Sequence, residues 1–300
     1  MIGSQRSAGG GVPATVSATR FLYKLCGASQ PAIIEGSDGA FYAVKFNGFP
    51  GLNSLMSEVV GNELIRILGL PSPDWVPIEL SSRFIAANPG IWFTTGNLST
   101  PPLSGQHFGS RLIEAAGESR TYQMIPHSWI DRIENRPDFL GILILDLWTN
   151  NCDRRQAVFL ASPEGKLNAS FIDNGLMFGG KSNTDTTCPR RVMLYDLDVY
   201  KGLWSDNSDE IVKQWLRKFE QIGKDEIRQI LSGVPDRWVD RGCDRRIMDQ
   251  LSERRLRIPS LLHEAKWALS SSYSVRYHKT RNATEPGQIL TAPIFPVFPS

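Results

Sequence analysis

The stretch from Asp138 to Asp173 restricts the fold of this chain more than any other. It opens with Asp138 to Trp148, a nearly all-apolar run of helix formers that must be buried on every side, and continues through the polar loop NNCDRRQ. Two short segments, QAVFLAS and LNASFID, flank the turn Pro163-Glu164-Gly165-Lys166, which folds the second back on the first. A buried helix, a loop and a tight hairpin in that order need a body of helices around them, and a chain of 300 residues can supply one. The hairpin also brings two carboxylates to one end: Asp153 in the loop before the first strand, and Asp173 at the exit of the second.

Upstream, ATRFLYKL, PAIIEG and AFYAVKF, the last two joined by Ser37-Asp38-Gly39, predict a small antiparallel sheet. Apolar residues at Leu55, Val59, Leu64, Ile67 and Leu68 predict an amphipathic helix that stops at Gly69, before Pro71 and Pro73. Asp74 to Phe84 can add a strand, and Asn97 to Gly109, rich in proline and glycine, reads as a connection between lobes. Downstream, helices are expected at 209–222, 224–232 and 243–268. The expected class is therefore α+β and bilobal: an N-lobe of sheet plus helix over 15–95, a mainly helical C-lobe over 96–269, and flexible tails at 1–14 and 270–300.

Composition narrows the function classes. The formal charge is +2, from 33 Lys and Arg against 31 Asp and Glu, so no global field draws the chain to nucleic acid or anionic lipid. The longest strongly apolar run, Phe139 to Leu145, is far short of a membrane span. Cys26, Cys152, Cys188 and Cys243 show neither CxxC pairing nor zinc-ligand spacing, and no apolar signal segment is evident, which points to a reducing cytoplasm and no structural metal. The run RRIMDQLSERRLR could bind nucleic acid, but Asp249 and Glu253 dilute it and favour a solvated face. The four histidines do not converge on one motif, and neither HExxH nor Gly-x-Ser-x-Gly is present.

Two constellations can carry chemistry. Lys45 lies inside the apolar strand FYAVKF, with Glu58 thirteen residues on in the first turn of the next helix. Either Glu58 pairs with the lysine and holds it toward phosphate, or Lys45 faces solvent and Glu58 serves the helix dipole, with Glu63 as the competing partner. Asp153 and Asp173 suit phosphoryl transfer, one orienting an attacking hydroxyl and the other holding magnesium; both also suit ordinary turn capping. Arg154 and Arg155 could contact phosphate, although adjacent arginines generally point different ways, one to a surface carboxylate. Gly27-Ala28-Ser29-Gln30, between the first two strands, stands where backbone amides could cradle phosphate, or is an ordinary hairpin turn.

Taken in order, YAVKF, the Ser57-Glu58 pair heading a helix that ends in LGLPSP, FGSR, LDLWTNNCDRRQAVFL, FIDNGLMF, VPDRW and LSERR resemble the HipA-like kinase family over roughly residues 17–265. The chain looks closest to stand-alone bacterial members whose loop reads Asp-x-Arg-Gln. The resemblance implies a protein-kinase-like bilobal fold and an ATP- and magnesium-dependent transfer to a hydroxyl, of protein serine or threonine before lipid or small molecule. It assigns Lys45 to the α/β-phosphates with Glu58 bracing it, Gly27, Ala28, Ser29 and Gln30 to the nucleotide, Asp153 to catalysis and Asp173 to the metal. Val158 stands where HipA itself has a metal-binding asparagine five residues after the catalytic aspartate. Gln156, three residues on, is the candidate to supply that oxygen, and a pseudokinase that binds nucleotide without turnover is the alternative. The resemblance also admits an antitoxin-like protein partner, while membrane association and direct nucleic-acid binding are not expected.

Overall fold

Alternation of side chains decides the first layer. β1 (Val16–Lys24), β2 (Ala32–Gly36) and β3 (Phe41–Lys45) form an antiparallel meander in which Tyr42 and Val44 turn inward, while Phe41, Ala43 and Lys45 face the other side. The computed structural model describes residues 13–48, 54–113, 119–179, 192–194, 196–200, 203, 208–239 and 242–271. Apart from a few residues at their inner ends, both expected tails lie outside these, as does Cys188.

α1 (Ser54–Ile67) follows the meander and closes just before Gly69 and the prolines, as the periodicity requires. β4 (Trp75–Leu80) is shorter than the 74–84 expected, because the Ser81 hydroxyl accepts from the Phe84 N–H at 3.1 Å and starts α2 (Ser82–Ala87). β5 (Phe93–Thr95) and β6 (Leu98–Thr100) make a small hairpin. β7 (Gly105–Arg111) then enters the sheet between β3 and β4, and a short parallel pairing of β1 with β4 closes the five strands into a barrel. The expected connection at 97–109 is therefore partly strand, and the division expected at residue 95 falls inside the sheet-forming stretch. The reason is steric: a Cβ on Gly109 would lie 2.4 Å from Ile78 Cγ1, so the glycine that reads as a breaker is a close-packing position.

His107 occupies the same strand, buried beside Phe46. Its Nδ1 accepts from the Asn47 N–H at 2.8 Å, and its Nε2–H donates to the Leu103 carbonyl at 2.9 Å, so the ring is neutral. Burial pushes its pKa from 6.5 down to about 4, partly opposed by the Leu103 carbonyl. The unfolded chain takes up this proton first, so the contribution is complete above pH 6.5 and is lost as pH falls toward 4, amounting to about 3 kcal/mol. His107→Gln keeps both hydrogen bonds without the titration. Denaturant unfolding at pH 7 and pH 4.5 should show wild type losing about 2–3 kcal/mol more than the variant; equal losses would contradict the assignment.

The second half is built on α3 (Asp138–Trp148), whose residues from Phe139 onward are all buried. β8 (Arg120–Tyr122), β9 (Gln156–Ala161) and β10 (Leu167–Ile172) form a three-stranded sheet in the order β10-β9-β8, with Gln156 opposite Ile172 and Ala161 opposite Leu167. α4 (Ser208–Gln221), α5 (Lys224–Ser232), α6 (Cys243–Arg255) and α7 (Ile258–Ser271) surround them. The single helix expected at 243–268 is thus two. Pro259 has no N–H and fits only the first turn of a helix, so the chain must restart there.

The C-terminal part of the basic run in α6 is structural, while Arg245 and Arg246 are exposed. Arg254, buried, donates to the carbonyls of Leu147 and Trp148 at the end of α3 (2.7–3.2 Å), while Arg255 donates to the Ile222 carbonyl beyond α4 and lies over the Trp148 ring. Both meet orphan carbonyls and the negative end of a helix. One core fills the barrel, around Ile34, Tyr42, Val44 and Ile78; a larger one joins α1 to α3, the second sheet and the later helices. No helix among the described residues is long and apolar enough to cross a membrane.

Candidate active site

Lys45 leaves β3 on the face turned toward α1, and Glu58 meets it from the second turn of that helix rather than the first turn expected, its side chain 2% exposed. The ammonium pairs with Glu58 and also with Asp173 Oδ1 at 2.7 Å. Glu63 is occupied elsewhere, accepting from Arg66 and from the Trp75 indole. Burial works against the charge on Lys45, but the two carboxylates outweigh it and hold its pKa above the ordinary value. Burial pushes Glu58 up, with Lys45 opposing and Asp173 adding to the rise; Asp173, despite burial, is held below the usual carboxylate range by Lys45 and Arg155.

Close approach makes this meeting possible. A Cβ on Gly61 would lie 2.5 Å from Asn174 Cβ and 2.8 Å from Met177 Sδ, so only glycine lets α1 rest against the loop after β10. The second Glu58 oxygen then accepts from the Asn174 N–H at 3.1 Å. On the other side of Asp173, Oδ2 accepts from Gln156 Nε2 at 2.6 Å. Lys45, Glu58, Asp173 and Gln156 are therefore one connected network drawn from β3, α1, the loop after β10, and β9.

Beneath it lies an ion pair with no exposed surface. Arg155 pairs with Asp146 of α3 through both carboxylate oxygens, and donates from Nη1 to the Ile172 carbonyl (2.8 Å) and to Asn174 Oδ1 (2.9 Å). Asp146 also accepts from Asn151 Nδ2 at 2.9 Å, and Asn151 Oδ1 accepts from the Asp153 N–H at 3.1 Å. One buried carboxylate thus fixes both the loop carrying Asp153 and the loop carrying Asp173. Burial pushes the Asp146 carboxyl up, and Arg155 opposes it. The adjacent arginines do point different ways, but the carboxylate that takes Arg155 is buried rather than on the surface, and Arg154 is the exposed one.

Backbone strain gathers in the same place. Asn150 (φ +52°), Asp173 (+66°) and Phe178 (+61°) are left-handed without being glycine, and Phe178 and Gly179 donate to the carbonyls of Thr149 and Asn150 at 2.7 and 3.0 Å. Each such residue costs of order 1–3 kcal/mol and persists where its surroundings over-determine it. Asn150 Oδ1 and Asn174 Nδ2, on these two loops, are buried without a hydrogen-bond partner among the described residues.

Asp153 is partly buried in the loop between α3 and β9, at the same end of the hairpin as Asp173; its Oδ1 accepts from the Arg154 N–H at 2.7 Å. It has no hydrogen bond to the Lys45 network among the described residues. Gly27, Ala28, Ser29 and Gln30 form the β1–β2 turn, closed by the Gln30 N–H on the Gly27 carbonyl at 3.1 Å. The Gln30 side chain is committed: Nε2 donates to the Thr94 carbonyl at 2.7 Å and Oε1 accepts from the Thr94 N–H at 3.0 Å. It tethers the turn to β5, so any role toward a ligand falls to the backbone of its neighbours. Val158 sits in mid-strand opposite Ser170.

The part-exposed Asp173 carboxylate suits a hard divalent cation, whereas Gln156 presents its amide nitrogen rather than its oxygen to Asp173. A model of the HipA-like kinase family matches residues 24–265. No curated protein sequence matches. Among solved structures, the chain is similar to Fam20 from hydra, solved with sugar, with a TM-score of 0.50 and 11% identity over 86% of this chain and 88% of that one. It is also similar to the Helicobacter pylori proinflammatory kinase CtkA (TM-score 0.49, 13% identity, 88% and 100% covered). The Golgi casein kinase with Mn/ADP bound gives a TM-score of 0.48 and 15% identity, with 84% and 72% covered. At these identities the likeness concerns the fold alone.

Proposed function

This chain belongs to the HipA-like kinase family and has its bilobal kinase-like fold, and from that premise we propose that it transfers the γ-phosphoryl group of ATP to a hydroxyl of protein serine or threonine, with magnesium as the metal. The observation that carries the reading is the network of Lys45, Glu58, Asp173 and Gln156: a buried ammonium fixed by one carboxylate and turned toward a second. Lys45 binds the α- and β-phosphates, and Glu58 keeps it aimed. Asp173 would hold the metal, and Gln156 would add its oxygen only with its amide reversed from the orientation seen here; a bound metal would supply charge neutralisation on the phosphates. Asp153 orients the acceptor hydroxyl and receives its proton on a carboxylate oxygen as the new O–P bond forms and the bond from the γ-phosphorus to the bridging oxygen breaks.

A second reading, nucleotide binding without turnover, is favoured by Val158, which by the resemblance stands where HipA itself has its metal-binding asparagine and which is held in the β9–β10 ladder opposite Ser170. Incubation with γ-labelled ATP and magnesium separates the two. Under the kinase reading, label enters protein, and Asp153→Ala removes the transfer while largely keeping ATP affinity. Nucleotide binding with no transfer to protein, lipid or water would establish the second reading instead.

A further inference from the structure

At the far end of the β9–β10 hairpin from Asp173, a cavity of about 560 Å³ opens between the second sheet and the 3-10 turn His127–Arg132. Tyr122 and Ala161 line it from the core-facing side of the sheet, and Trp129 and Arg132 close it from the turn. Trp129 and Tyr122 meet edge to face, centroids 5.4 Å apart at 88°, and the Arg132 guanidinium lies 4.9 Å from the Trp129 ring centroid. Arg120 enters from β8. The turn is held to the sheet by the Glu134 N–H on the Leu167 carbonyl at 2.9 Å.

Among the described residues the charges lining this cavity are unbalanced. Neither Arg120 nor Arg132 has a carboxylate partner among the described residues. Asp131, beside Arg132, pairs with Arg136 at 3.2 Å, and His127 takes Asp196 and Asp198. Glu164 is exposed on the hairpin turn and does not line the cavity. Two guanidiniums that face one concavity and have no carboxylate partner among the described residues favour an anion, and guanidinium matches the oxygens of a phosphate monoester. The volume falls within the range of about 300–1,000 Å³ typical of small-molecule sites, which is more than a lone phosphate needs, and the remaining wall is aromatic.

We propose that this cavity is a second ligand site, separate from the Lys45 network, for a small phosphomonoester carrying a planar ring, with Arg120 and Arg132 on the phosphate and Trp129 and Tyr122 against the ring. The proposal does not rest on the kinase reading. Its test is calorimetric titration of the full chain with phenyl phosphate, with inorganic phosphate and phenol as half-probes. Phenyl phosphate should bind saturably and at least about tenfold more tightly than either half-probe. The Arg120→Gln/Arg132→Gln double variant should weaken it by roughly tenfold or more, with an unchanged melting curve, while Lys45→Ala leaves it as in wild type. Absence of saturable binding, equal affinity in the double variant, or loss of binding in Lys45→Ala would each overturn the site. Arg132→Lys adds a check: it keeps the charge but not the planar stack on Trp129, and should fall between wild type and the double variant.

Discussion

Asp173→Asn is expected to lower ATP affinity in the presence of magnesium by about a hundredfold or more and to leave the fold intact. An amide of the same shape lacks the charge that holds a divalent cation, and removing one partner from a desolvated charge cluster costs several kcal/mol of binding. The fold survives for two local reasons. Lys45 keeps Glu58, so no buried ammonium is left alone. Residue 173 has φ +66°, a conformation that asparagine tolerates far better than most side chains, so the loop keeps its path. Asp173→Ala makes the contrast, because it adds backbone strain to the loss of charge and should melt lower than Asp173→Asn. Calorimetry of ATP with and without magnesium, beside a thermal melt, measures both effects. Metal-dependent affinity that persists in Asp173→Asn would remove Asp173 from the metal site.

The parts of this architecture that local pattern determines were legible in the sequence. α3 runs over Asp138–Trp148 as its apolar composition requires, because a helix that is hydrophobic all round has only one place to go. The β9–β10 hairpin follows from its turn tetrad, and alternation in β3 places Lys45 on the other face of the strand from Val44. Illegible were the parts settled by distant neighbours. β7 is a strand because it pairs with both β3 and β4, with Gly109 leaving room for Ile78, and β8 exists only as a rung on β9. Gln30 resembles a ligand-facing residue until Thr94, sixty-four positions away, takes both ends of its amide. In two places the signal was present and unused: Pro259 marks the restart at α7, and Asp146 is the one acid in the fully buried stretch of α3, which cannot be left without a cation.

That cation is Arg155, and Arg155→Met is expected to destabilise the protein by about 3–5 kcal/mol, the cost of leaving a fully buried carboxylate uncompensated. At a few degrees per kcal/mol for a chain of this size, the melting temperature should drop by roughly 10 °C. Four acceptors lose their donor together: Asp146, the Ile172 and Asp173 carbonyls, and Asn174 Oδ1. Adding Asp146→Leu removes the stranded charge and should return part of the loss, because replacing both members of a buried pair by apolar groups is close to neutral in charge terms. Full recovery is not expected, since the carbonyl and amide acceptors after β10 stay unsatisfied, at about 1–3 kcal/mol each. The two variants also separate stability from positioning. With Asp146 gone, Asn151 loses the partner that orients it under the Asp153 N–H, so the double variant should melt above the single one and still fail to hold Asp153. Label transfer from ATP should remain absent in it even at temperatures where it is folded. A double variant as unstable as Arg155→Met would show that the cost lies in the lost hydrogen bonds rather than in the charge of Asp146, and a double variant with wild-type transfer would free Asp153 from this scaffold altogether.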